Sequence, residues 1–252
     1  MSLFVYNYLM RILAILFLIL PISMLKADEI YNLIKIPNLE VYKITAQNGI
    51  RYLNTKNNFR IGVDQNISCK ETNTENLKKK LKIVDKNLSR YSKNFLKKNN
   101  LKFVVLCENL FISNINTGGI PDINKRTLIL DINFNKKYFE RMIHHELFHM
   151  IQNSNINKFD EKKWISFNEI NFNYAECSTC TDNINLDLYK KTNGFLTEYS
   201  KSIPSEDMAE IFSFLMTNKS EVEAKTSDDK ILQKKVKYIK SILANIDKSF
   251  TF

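Results

Sequence analysis

The most constraining feature of this sequence is five residues long. His145-Glu146-Leu147-Phe148-His149 reads HExxH, and it holds two of the three histidines in the 252-residue chain. The third, His144, directly precedes it. The motif lies in a stretch, 136–153, where Tyr138, Phe139, Met142, Ile143, Leu147, Met150 and Ile151 recur at helical spacing. Apolar residues cover much of that circumference, so the helix has to be substantially buried. Positions i and i+4 share a helix face, so His145 and His149 can converge on one metal ion. Glu146 then lies within reach of a water that the metal activates. His144 has Phe148 at i+4, so we read it as a surface neighbour or an orienting residue rather than a ligand.

A catalytic zinc normally takes three protein ligands and keeps one position open. No further histidine exists, so the third ligand must be Asp, Glu or Cys. Downstream acidic candidates are Glu161, Glu169, Glu176, Glu198, Glu206 and Glu210, with several aspartates. Glu206 and Glu210 stand out, because they share one face of a helix expected to begin near Glu206 with Ser205 as its N-cap. One could ligate the metal while the other accepts the far N–H of a ligand histidine. Spacing alone does not decide which does which.

Residues 1–27 read as an export signal. Arg11 precedes an uncharged run, Ile12 to Leu25, and Lys26-Ala27-Asp28 offers a small residue at a cleavage point. The run is shorter than the roughly 20 apolar residues of a membrane span. A retained anchor is the alternative, because residues 3–10 are also mostly apolar. No cysteine lies near the cleavage point to carry a lipid. In an exported chain, Cys69, Cys107, Cys177 and Cys180 fit two disulfides, which argues against cysteine as the third ligand. Three pairings are open; a local Cys177–Cys180 bridge would leave Cys69 with Cys107. The CxxC lacks the strand-and-helix context of a thioredoxin-like redox pair, and a structural zinc site needs more ligands than it supplies.

The chain carries a formal net charge of +10, which becomes +8 without Arg11 and Lys26. Its lysine runs, Lys78–Lys80, Lys97–Lys98, Lys136–Lys137 and Lys234–Lys235, are scattered. With no recognition-helix pattern, Cys/His finger or single-strand-binding signature, we read them as solvated helix faces and expect no nucleic acid partner. The expected partner is a peptide or protein substrate. Membrane association follows only if the N-terminal segment is retained.

Elsewhere, Val41–Ile44, Phe59–Val63, Leu101–Leu106 and Thr127–Ile132 read as strands. Residues 74–96 read as one helix, 116–122 as a turn or loop, 156–195 as irregular or short helices, and 228–246 as a final helix. The order predicts an α+β fold: a small mixed sheet packed on the motif helix, then a mostly helical part. We expect one domain over 28–252, with an α/β part at 28–155 and a helical part at 156–252.

Two blocks carry a family resemblance. HELFH, followed by Tyr199-Ser200-Lys201-Ser202-Ile203-Pro204-Ser205-Glu206-Asp207-Met208-Ala209-Glu210, resembles the glutamate-zincins, among them the catalytic domain of anthrax lethal factor and related bacterial zinc-binding metallopeptidases. The segment Gly194–Tyr199 is similar to the lead-in to that site, and the likeness spans roughly Thr127 to Met216. It implies a zincin-like fold with His145, His149 and Glu206 as zinc ligands. It also implies Glu210 behind a ligand histidine and Tyr199 beside the reacting carbonyl. The Leu147-Phe148 pair and the long Asn-rich stretch with Trp164 and the CxxC depart from the pattern. On this resemblance the expected chemistry is amide hydrolysis by an exported zinc metallopeptidase. Glu146 would move the proton and Tyr199 would donate to the oxyanion. Other readings are a cell-wall peptide amide hydrolase on the same site, a non-catalytic periplasmic or surface domain that retains a metal site, and a redox or chaperone-like protein using Cys177 and Cys180.

Overall fold

The computed structural model describes residues 39–43, 46–180 and 184–252; the expected export signal, residues 1–27, lies outside them. The fold is α+β, a mixed sheet backed by helices with a helical C-terminal part. Eight strands are described: β1 (Leu39–Lys43), β2 (Arg51–Thr55), β3 (Phe59–Ile61), β4 (Ile67–Lys70), β5 (Phe103–Ile112), β6 (Ile115–Asn116), β7 (Gly119–Asp122) and β8 (Thr127–Asp131). The first half of β5 is the centre of the main sheet. It pairs in parallel with β2 and β8, while β1 and β7 add antiparallel edges. The second half of β5 pairs antiparallel with β4 and β6, and β3 extends that layer.

Side chains alternate across β5 and β8 with period two, as a sheet covered on both faces requires. Val104, Leu106, Leu128 and Leu130 enter the main core beneath the helices. Val105, Cys107 and Ile129 enter a smaller cluster with Phe59, Ile61, Cys69 and Leu110. The Cys69–Cys107 disulfide sits in this second cluster and closes a separation of 38 residues; Cys177–Cys180 closes only three. Chain-entropy arithmetic gives the long loop about 4 kcal/mol. Replacing Cys69 and Cys107 together by alanine is therefore expected to lower urea stability by about 2–4 kcal/mol. The same change at Cys177 and Cys180 should cost well under half as much; the reverse order would contradict this account.

Seven α-helices are found among the described residues, in chain order: α1 (Thr74–Leu88), α2 (Lys93–Lys98), α3 (Phe139–Ser154), α4 (Glu161–Ile165), α5 (Pro204–Thr217), α6 (Lys219–Lys225) and α7 (Lys230–Ile246). The single helix expected over 74–96 is two. Its apolar spacing runs across the break, but Ser92 turns extended and its hydroxyl caps α2 by accepting from Phe95 N. Strand β7 replaces the loop expected at 116–122. The helix expected to follow Ser205 begins at Pro204, with Ile203 at the cap. Proline suits that first turn because it has no N–H to satisfy and its φ is already helical.

Helix α3 lies across β7 and packs most extensively on α5. The main core joins residues from the sheet, α3, α5 and α7. One lysine overturns the reading of the basic runs as solvated: Lys235 of α7 is fully buried. Its Nζ donates to Asp207 Oδ2 at 2.7 Å and to Gly194 O at 2.9 Å. Trp164 Nε1 and Tyr174 OH donate to the same Asp207 oxygen. This knot ties the irregular segment, the turn at Gly194, α5 and α7 together. Among the described residues, no helix is long and apolar enough to cross a membrane.

Candidate metal centre

Two helical i, i+4 pairs face one another across the α3–α5 contact. His145 and His149 project from α3, and Glu206 and Glu210 from the first two turns of α5. His145 is central. Its Nδ1 lies 3.0 Å from Glu210 Oε1, and its Nε2 lies 2.8 Å from Glu206 Oε2. His149 Nε2 is 3.2 Å from both His145 Nε2 and Glu206 Oε2.

These distances fit a metal ion. Tetrahedral ligand atoms at about 2.0–2.1 Å from zinc stand roughly 3.3 Å apart. The proton inventory points the same way. If His145 Nδ1–H donates to Glu210, a neutral ring leaves a lone pair on Nε2. That lone pair, Glu206 Oε2 and a neutral His149 Nε2 then form three acceptors aimed at one point, an arrangement that a bound cation satisfies. Among the described residues His145, His149 and Glu206 form such a group.

The electrostatics follow from this crowding. Burial opposes charge on His145, but Glu206 and Glu210 outweigh it and raise its pKa to about 10. Burial likewise opposes ionisation of Glu206, but His149 and then His145 hold it well below the usual carboxylate range. Its place in the first turn of α5, at the positive end of the helix dipole, adds to this. For Glu210, burial is overcome first by the charge of Arg141 and then by His145.

Glu146 is buried beside the group. Burial raises its pKa to about 7 against the pull of His145 and His149; a bound dication would lower it. Tyr199 opens a short 3₁₀ turn (Tyr199–Lys201), its ring centroid 5.9 Å from that of His145. Burial, followed by the carboxylates of Glu206 and Glu146, pushes its pKa upward, so the hydroxyl remains a donor.

Several contributors escape a reading of the sequence. Thr197 Oγ1 donates to Glu210 Oε2 at 2.9 Å and is pinned by Ser200, which ties the Tyr199 turn to the acid behind His145. Thr197 lies inside the Gly194–Tyr199 block, which was its only signal. Arg141 Nη2 lies 3.7 Å from Glu210 Oε2 and donates to Leu186 O at 2.7 Å. Nothing in the sequence separates it from an ordinary helix-surface arginine. Gly118 and Gly119 permit α3 to approach β7: a Cβ would meet Met142 Cγ at 2.4 Å and Glu146 Cγ at 2.7 Å respectively.

His144 is fully buried, which corrects its reading as a surface neighbour. It faces away from the metal group, between Tyr91 OH (2.6 Å) and Asn87 Oδ1 (2.9 Å), and burial depresses its pKa to about 3. It joins α3 to α1 as a neutral ring. Among the described residues, none of the other acidic candidates joins the His145–His149–Glu206 group.

The group opens into a cleft of about 600 Å³ walled by β7, α3 and the side of the chain that carries Ser178, Thr179, Ile184 and Leu186. A larger cavity of about 730 Å³ shares Tyr138, Arg141 and Leu186 with it but contains none of the three metal-facing residues. A family model described as "Putative zinc-binding metallo-peptidase" matches residues 111–246, just over half of the chain. No curated protein and no solved structure gives a significant match.

Proposed function

The chain belongs to that family of zinc-binding metallopeptidases, and on this premise we propose that it hydrolyses peptide bonds with a zinc ion held by His145, His149 and Glu206. The convergence of those three acceptors, with Glu146 alongside, carries the reading. Zinc bound there supplies a Lewis acid for the scissile carbonyl and lowers the pKa of water. Glu146 takes the proton of the attacking water and passes it to the leaving nitrogen. Tyr199 donates a hydrogen bond to the carbonyl oxygen as it becomes an oxyanion. Glu210, fixed by Thr197 and Arg141, sets the tautomer and orientation of His145. This is the glutamate-zincin arrangement, in keeping with the likeness to the lethal factor catalytic domain.

The peptide has a place to lie. Among the described residues β7 pairs only with β8, which leaves its outer edge toward the cleft. Pro121 is tolerated there because an outward-facing edge position needs no N–H. The two disulfides suggest an extracellular or periplasmic location, which supports export.

The zinc-loaded protein should cleave an unfolded protein substrate, and 1,10-phenanthroline should abolish cleavage. Activity on purified cell wall alone would move the reading to a cell-wall amide hydrolase; none on either would leave a metal-binding domain. Tyr199→Phe is expected to lower kcat about 10–100-fold with little change in KM, since its bond strengthens only in the transition state. An unchanged kcat would remove Tyr199 from the chemistry.

A further inference from the structure

The rim of the cleft spends surface on isoleucine. Ile112, Ile115 and Ile184 are 36%, 41% and 48% exposed, and all three line the cleft. They come from two separate parts of the chain. Ile112 and Ile115 face each other across the β5–β6 hairpin, and Ile184 lies in the coil that forms another wall.

Both supports are built. The hairpin turns through Ser113 and Asn114, both at positive φ, as a two-residue loop of matching twist demands. Asp131 holds its base by accepting from Asn109 N and Leu110 N at 2.9 and 3.0 Å, and Ser113 N donates to Asn66 O at 2.8 Å. Beyond Ile184, Tyr199 N donates to Asn185 O and Arg141 to Leu186 O, while Tyr138 OH donates to Asp187. Below the rim, Phe134, Met142 and Leu186 continue the apolar lining.

The charges are equally informative. In a chain of net +10, no lysine and no aspartate appears among the described residues lining this cleft. The charged groups there are the metal-facing set, Glu146, and Arg141 and Glu210, which offset each other. Among the described residues, Arg141 is thus the one Lys or Arg that lines the cleft, and it lies beside Glu210.

We propose that Ile112, Ile115 and Ile184 are specificity-determining residues, and that the peptide segment seated in the cleft carries bulky apolar side chains and no charge. This rests on the peptidase reading for what the occupant is, but it concerns recognition and is testable without turnover. The physical cause is desolvation. An apolar side chain seated there removes isoleucine surface from water, whereas a charged one gives up hydration against a rim whose three isoleucines offer it no partner.

The test uses zinc-loaded Glu146→Gln protein and three fluorescein-labelled peptides of equal length whose central pair is Leu-Phe, Glu-Asp or Lys-Lys. Anisotropy should show Leu-Phe binding at least about tenfold more tightly than either charged peptide. Adding Ile115→Asp and Ile184→Asp should reduce that ratio to about threefold or less, whereas Ile115→Leu should retain it. Equal binding, tighter binding of a charged peptide, or no binding of any of them overturns the proposal. If the Leu-Phe preference holds while wild-type protein cleaves nothing, the hydrolytic reading fails and the recognition assignment stands. If wild-type protein cleaves charged and apolar peptides alike, recognition fails and hydrolysis stands.

Discussion

Replacing Glu146 by glutamine is expected to lower kcat about 10³-fold while leaving one zinc bound per chain. The substitution keeps the volume of the side chain and its packing against Gly119, where a Cβ would come within 2.7 Å of Glu146 Cγ. It also keeps a hydrogen-bonding head in a buried position. What it removes is the capacity to accept a proton. Because Glu146 is not in the His145–His149–Glu206 group, metal content should be unaffected. Zinc analysis beside steady-state kinetics separates the two effects. Loss of activity together with loss of zinc would mean that Glu146 is part of the metal site; activity within tenfold of wild type would mean that another base does the work.

The largest stability effect is expected at Lys235. Both Lys235 and Asp207 have fully buried side chains. Burial pushes the pKa of Asp207 up and that of Lys235 down, and their attraction opposes both shifts. Removing one member of such a pair leaves the other charge buried and uncompensated, at a cost of about 3–5 kcal/mol. Lys235→Met should therefore lower Tm by about 10 °C or more. Adding Asp207→Asn should restore part of that loss, because the stranded charge is gone while Trp164 and Tyr174 still have an acceptor. Calorimetry on the two variants checks this. A Tm within about 2 °C of wild type for Lys235→Met would show that the knot does not hold α5 in place. The consequence reaches the site, since Asp207 directly follows Glu206 on α5.

The two halves of the site were unequally legible in the sequence. His145 and His149 stand out because helical geometry turns a four-residue spacing into a shared face, and Glu206 and Glu210 repeat the same spacing on α5. The α+β class followed from the switch between period-two and helical patterns. Strand β7 was illegible because Gly118, Gly119 and Pro121 are turn residues by local preference. Their reason is tertiary: the glycines make room for Met142 and Glu146, and the proline sits on an edge. Lys235 was misread for a similar cause. In sequence it is one of a lysine pair, and only the fold reveals that its neighbour Lys234 is exposed while it meets a buried aspartate. Arg141 and Thr197 act through Glu210, a contact between distant segments that no local pattern encodes.

The central claim is that His145, His149 and Glu206 hold one zinc ion and leave room beside Glu146. A crystal structure of the zinc-loaded protein tests it most directly. The account predicts one ion per chain, bound by both imidazoles and the Glu206 carboxylate at about 2.0–2.2 Å, with at least one position not filled by protein. Glu210 should remain on the far side of His145, accepting from its Nδ1. An ion bound elsewhere, coordination by Glu210 in place of Glu206, or a fourth protein ligand closing the site would contradict it.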